Sequence, residues 1–115
     1  MTHAMLYMDG EPSGIRVRVA DSWASRARGL LGTRLLADDE GLWLRPCDSV
    51  HTFGMAYTID VAFFDREGRV VKVAERLVPW RIAGCWRAKG TLELAKGTLS
   101  RLGLRPGMQL ALNAT

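Results

Sequence analysis

The chain reads as an α+β domain that is mainly antiparallel β, a curled sheet or small partly open barrel carrying two short helices. Three observations predict this. Short strand-like runs outnumber helical patterns, and most neighbouring runs are separated by turn formers. One run, Ile59-Asp60-Val61-Ala62-Phe63-Phe64-Asp65, is apolar on both faces and so belongs in the middle of a sheet. A sheet of this kind hides its edges best by curling or closing. The 115 residues, 48% of them hydrophobic, suit one domain over 1–115.

The elements follow in chain order. Met5 to Met8 reads as a short strand, stopped by Asp9-Gly10 and Pro12-Ser13-Gly14. Ile15-Arg16-Val17-Arg18-Val19 alternates apolar and charged residues, the signature of a strand with one wet face. Asp21 or Ser22 can cap a helix whose Trp23, Ala27, Leu30 and Leu31 share one side, with Gly32 as its stop. Asp38-Asp39-Glu40-Gly41 is an acidic surface turn, and Leu42-Trp43-Leu44 a strand ended by Arg45-Pro46. Ile59 to Asp65 and Arg69 to Arg76 form a hairpin across Arg66-Glu67-Gly68, where Gly68 supplies a positive φ. Leu77 to Ala83 is a continuing strand in which Pro79, lacking an amide hydrogen, favours an edge or bulge. Thr91 to Leu94 is a short strand or a single turn. Thr98 to Leu102 is a brief helix ending at Gly103, and Met108 to Leu112 is a closing strand.

Composition narrows the function classes. No apolar stretch approaches the roughly 20 residues that cross a bilayer, and residues 1–5 lack a charged region followed by an apolar one. A cytoplasmic protein with no membrane partner is the expectation. Cys47 and Cys85 are expected to stay reduced. The net charge of +4 is spread from Arg16 to Arg105 with acids between, a solvated surface rather than a nucleic-acid stripe.

The chemistry-bearing residues concentrate in Cys47-Asp48-Ser49-Val50-His51-Thr52-Phe53-Gly54-Met55, just ahead of the most hydrophobic strand. Several readings compete. Cys47 and His51, four apart, would share one face of a helical turn and suit zinc, but His3, Cys85, Asp60 and Glu93 stand at no ligand spacing from them. No metal and no cofactor are expected. Cys47 as nucleophile, His51 as base and Asp60 as orienting acid would make a hydrolase or transferase. Ser49, His51, Thr52 and Asp60 as polar groups among Phe53, Met55, Phe64 and Trp80 would make a small-molecule or peptide pocket. Ordinary packing would produce the same pattern: Ser49 and Thr52 capping a turn, Met55 filling core, and Asp60 paired with an arginine. Glu93, between two leucines, faces solvent or turns inward, the solvent face being the expectation. Trp80 and Trp86 beside Arg81 and Arg87 could stack bases, although no nucleic-acid motif accompanies them. Binding of a small molecule or peptide segment around residues 47–60 is the expected function, with Cys/His catalysis and a basic nucleic-acid module as alternatives.

Several ordered blocks also resemble the family called domain of unknown function 192. They are Arg26-Ala27-Arg28-Gly29-Leu30-Leu31, the Cys47–Met55 run, Ile59–Asp65, Pro79-Trp80, Leu92-Glu93-Leu94-Ala95-Lys96-Gly97 and Leu104-Arg105-Pro106-Gly107. The resemblance implies a compact α+β fold and a shared region around Met55 and Asp60. It implies no activity. Family members that differ ahead of the equivalent Met imply that Cys47 and His51 are not part of a chemistry common to all.

Overall fold

The computed structural model describes residues 2–20, 36–52 and 57–114. In chain order its elements are β1 (Thr2–Met8), β2 (Glu11–Ala20), β3 (Glu40–Leu44), β4 (Ser49–His51), β5 (Ile59–Phe64), β6 (Val70–Leu77), β7 (Ile82–Gly84), β8 (Gly90–Ala95), α1 (Thr98–Leu102) and β9 (Leu110–Ala114). Seven strands form one sheet in the order β6-β5-β8-β3-β2-β1-β9, and β4 pairs with β7 in a separate ribbon. Every pairing is antiparallel except that of β2 with β3.

The large sheet curls until its two edges meet at one end. Leu110 donates its amide to the Gly68 carbonyl, Val70 to Met108 and Gly107 to Val70, at 2.8–2.9 Å. These bonds saturate part of both edge strands. Gly68, at φ 85°, makes the turn that brings β6 there.

Each central strand buries both faces, and the two faces feed two cores. Ala62 and Phe64 of β5, Leu92 and Leu94 of β8 and Trp43 of β3 join Val70, Leu110 and Leu6 from the sheet margins. Because residues from both edges meet there, this is the concave side, and Leu99 and Leu104 of the α1 region plug it. Trp43 stacks on Phe64 with ring centroids 4.1 Å apart. Ile59, Val61 and Phe63 point the other way, with Leu42, Leu44, Ala95 and Ala88, and are covered by Val50 of the ribbon and by Leu36. This is the convex side.

The hairpin, the central β5 strand and the helix at Thr98–Leu102 lie where the residue pattern puts them. Among the described residues there is one helix; the one expected from Asp21 to Gly32 lies outside them. Of the two forms open to Thr91–Leu94 the structure takes the strand, the middle of Gly90–Ala95, a central strand buried along its whole length. Two expectations need correction. Leu77–Ala83 is not one strand, because β6 ends at Leu77 and Ile82–Gly84 leaves to pair with β4. Cys47 and His51 do not share a helical turn, since His51 ends the strand Ser49–His51 and four residues of extended chain span roughly 13 Å.

Candidate functional site

Within the segment rich in functional groups, Ser49–His51 forms β4, which pairs with β7 as a ribbon on the convex side. Ser49 and His51 are exposed at its surface, paired across the ribbon with Gly84 and Ile82. The Cys47 thiol donates to the Ser49 carbonyl at 3.1 Å. Thr52, fully buried, is a clamp. Its hydroxyl donates to the Val78 carbonyl at 2.6 Å and accepts the Arg81 amide at 2.8 Å, while its carbonyl accepts the Trp80 amide at 3.1 Å. Those bonds hold Trp80 at φ 65°, a left-handed conformation that bulky residues rarely adopt, with its ring 65% exposed. Phe53 and Met55 lie outside the described residues.

Asp60 is not part of this group. Its side chain is on the concave side with Ala62 and Phe64, whereas the ribbon and Cys47 pack on the convex side. One carboxylate oxygen accepts the Arg76 amide and the other the Leu99 amide, both at 2.9 Å. The Arg76 amide needs this partner because β6 bulges there. Ile59 faces Leu77 while Val61 faces Ala74, so two residues, Glu75 and Arg76, oppose Asp60 and leave the regular ladder. Leu99 is the second residue of α1, whose N-cap Gly97 offers no side-chain bond. Asp60 therefore caps the helix from a distant strand, as a carboxylate does well at a helix N-terminus. The partner is two backbone amides rather than the expected arginine side chain.

Glu93 reverses the solvent-facing expectation. It lies on β8 opposite Val61 and Leu42, on the convex face, and is only 5% exposed. Its Oε2 is buried and has no hydrogen-bond partner among the described residues. Loss of hydration raises its pKa to about 8, so the carboxyl holds its proton at neutral pH. Pairing with β5 does not by itself bury a strand, because β6 pairs with β5 too and has a wet face; the place of β8 between β5 and β3 is what keeps its acid from water.

Two residues along β8, Ala95 forms part of a hollow of about 320 Å³ whose walls are Leu36, Asp38, Tyr57, Thr58 and Lys96. Glu93 and Ala95 share a face of the strand, roughly 7 Å apart. Among the described residues, no three His, Cys, Asp or Glu side chains converge as metal ligands, and no helix is long and apolar enough to cross a membrane.

The model of domain of unknown function 192, described as an uncharacterized ACR family, matches residues 4–112. The chain belongs to this family. UPF0127 protein PH1112 of Pyrococcus horikoshii is 44% identical in a 69-residue alignment that covers 57% of this chain and 59% of that protein. Two crystal structures share the fold. A Sinorhizobium meliloti 1021 protein described as a candidate transcription regulator superposes with a TM-score of 0.84 at 23% identity, over 96% of this chain and 93% of that one. A protein of unknown function from Novosphingobium aromaticivorans DSM 12444 gives 0.76 at 21% identity, over 96% and 84%. At these identities the likeness concerns the fold.

Proposed function

We propose that this domain binds a small molecule on its convex face, in the hollow beside β8, with Glu93, buried behind the wall roughly 7 Å along the strand from the lining residue Ala95, as the polar group that orients the ligand. The observation that carries the reading is the buried Glu93 oxygen that has no partner among the described residues. A polar atom left unsatisfied inside a protein costs about 1 to 3 kcal/mol, a cost that a bound hydrogen-bond donor removes. The neighbouring hollow is at the small end of ligand pockets, and it mixes apolar wall, Leu36 and Ala95, with a few polar groups.

The chemistry of Glu93 selects the ligand class. A ligand bearing an amine or guanidine donates a hydrogen bond to the carboxyl. If it arrives as a cation, its charge favours the ionised form of Glu93, and one proton leaves to solvent as it binds. A panel of small amines and guanidines at millimolar concentration, tested by thermal shift on the wild type and on Glu93→Gln, examines this. At least one compound is expected to raise the melting temperature of the wild type by several degrees and leave the variant unmoved. A flat panel, or equal shifts in both proteins, would overturn the reading.

A further inference from the structure

Among the described residues, the large hydrophobic side chains that stand in solvent come from a single stretch of nine. Val78 is 41% exposed, Trp80 65%, Ile82 68% and Trp86 86%. They lie on and beside β7 in the chain, and none of them lines the hollow beside Ala95. Scattered exposed apolar residues are normal, but four within nine residues around one short strand point to an interaction surface. The Trp80 backbone reinforces this, because a strained left-handed tryptophan is kept in place by its own amide bond to the Thr52 carbonyl and by the Thr52 bonds to Val78 and Arg81 on either side, while its ring is presented to water.

Charge and shape select the partner. From Arg76 to Leu92 the chain carries Arg76, Arg81, Arg87 and Lys89 and no acidic residue. All four are exposed, as is Lys72, whose ammonium donates to the Gly84 carbonyl of β7 at 2.7 Å. Asp48, across the ribbon beside Cys85, and Glu75 on β6 are the nearby acids. Two of the four apolar members, Val78 and Ile82, have no π-face on which a base could stack. Exposed tryptophans and aliphatic side chains interspersed along the chain with exposed arginine and lysine match the boundary between acyl chains and anionic headgroups.

We infer that the β4–β7 ribbon docks the protein peripherally on an anionic lipid surface, Trp80, Ile82 and Trp86 entering the headgroup layer and the basic residues meeting its charge. This contact involves no spanning segment. It stands apart from the small-molecule reading, because it uses other residues.

Flotation of the full chain with vesicles of phosphatidylcholine alone, or with 30% phosphatidylglycerol, tests it. Binding to the anionic vesicles is expected to be at least tenfold tighter. Each basic residue near such a surface contributes about fivefold, so Arg81→Gln with Arg87→Gln should weaken it about 25-fold. Trp80→Gly with Trp86→Ser should abolish it without lowering the melting temperature, since glycine adopts φ 65° freely. Glu93→Gln should bind the vesicles like the wild type. Equal binding to both vesicle types, or full binding by the tryptophan variant, would overturn the inference. So would failure to float alongside tight retention of a single-stranded oligonucleotide, which would assign the same patch to nucleic acid.

Discussion

Asp60 and Glu93 occupy adjacent central strands one step apart in register, Asp60 facing Leu94 and Val61 facing Glu93, yet they live in opposite chemical worlds. Both are almost wholly buried, at 1% and 5% exposure. The single-residue offset sends them to opposite faces of the sheet. On the concave face Asp60 meets two amides that lack ladder or helix partners, and each bond serves both sides. On the convex face Glu93 has aliphatic neighbours, its Oε2 meets no donor among the described residues, and it keeps its proton. One acid is spent on architecture. The other is left available, and for this reason the proposed ligand site is built on Glu93 and not on the more conspicuous Asp60.

Removing the acid that is spent should do the most damage. Asp60→Ala strands two amides and is expected to cost about 3 to 5 kcal/mol in urea unfolding, since bonds to a charged acceptor are worth roughly 1.5 to 3 kcal/mol each. If the loss stayed below about 1 kcal/mol, the two acids would not differ as described.

Changing the available acid should alter the pH dependence instead. The folded chain holds the Glu93 proton up to about pH 8, while the unfolded chain releases it near the ordinary carboxyl value of 4.5. Folding between those values therefore takes up a proton. The contribution of Glu93 to stability is complete below about pH 4.5 and declines by roughly 1.4 kcal/mol per pH unit until about pH 8, then levels off. Glu93→Gln should remove that slope and be the more stable protein at pH 8. Chemical denaturation at pH 5, 6.5 and 8 measures it, and parallel curves for the two proteins would contradict the assignment.

Asp60→Asn sharpens the contrast further. One carbonyl oxygen remains to accept one amide, so the loss should be about half that of alanine, roughly 2 kcal/mol. Hydrogen exchange should then show faster opening at Arg76 or at Leu99, identifying which amide was abandoned. The smallest effect is at Gly97, the N-cap held at φ 88°. Gly97→Ala should cost about 1 kcal/mol through backbone strain alone. Combined with Asp60→Ala, it should add less than its separate value, because a helix already without its cap frays at that end.

Much of the framework was legible along the chain. Alternation identified Ile15–Val19, the doubly apolar Ile59–Phe64 demanded a central position, and Gly68 and Gly103 marked a turn and a helix end. These signals are local, and local chemistry decided them. The site was less legible. The Cys47–Thr52 segment attracted notice by composition, but its Cys47 thiol donates to a main-chain carbonyl and Thr52 holds Trp80 and Arg81. For Glu93, alternation within Leu92-Glu93-Leu94 favours one wet face over an inward turn, and only the neighbours on both sides of β8 show that neither face is wet.

The order of residues alone determined that this chain makes short strands, where they turn and which of them is central, because periodicity and turn chemistry act over a few positions. It also determined that an acid would sit inside the sheet. Which acid would find partners was decided by the tertiary structure. Arg76 and Leu99 lie 16 and 39 residues from Asp60, and only the β6 bulge and the packing of α1 against the concave face bring their amides to its carboxylate. Hydrogen bonds need donors at about 3 Å, and that proximity is a property of the closed sheet, absent from any local stretch of chain.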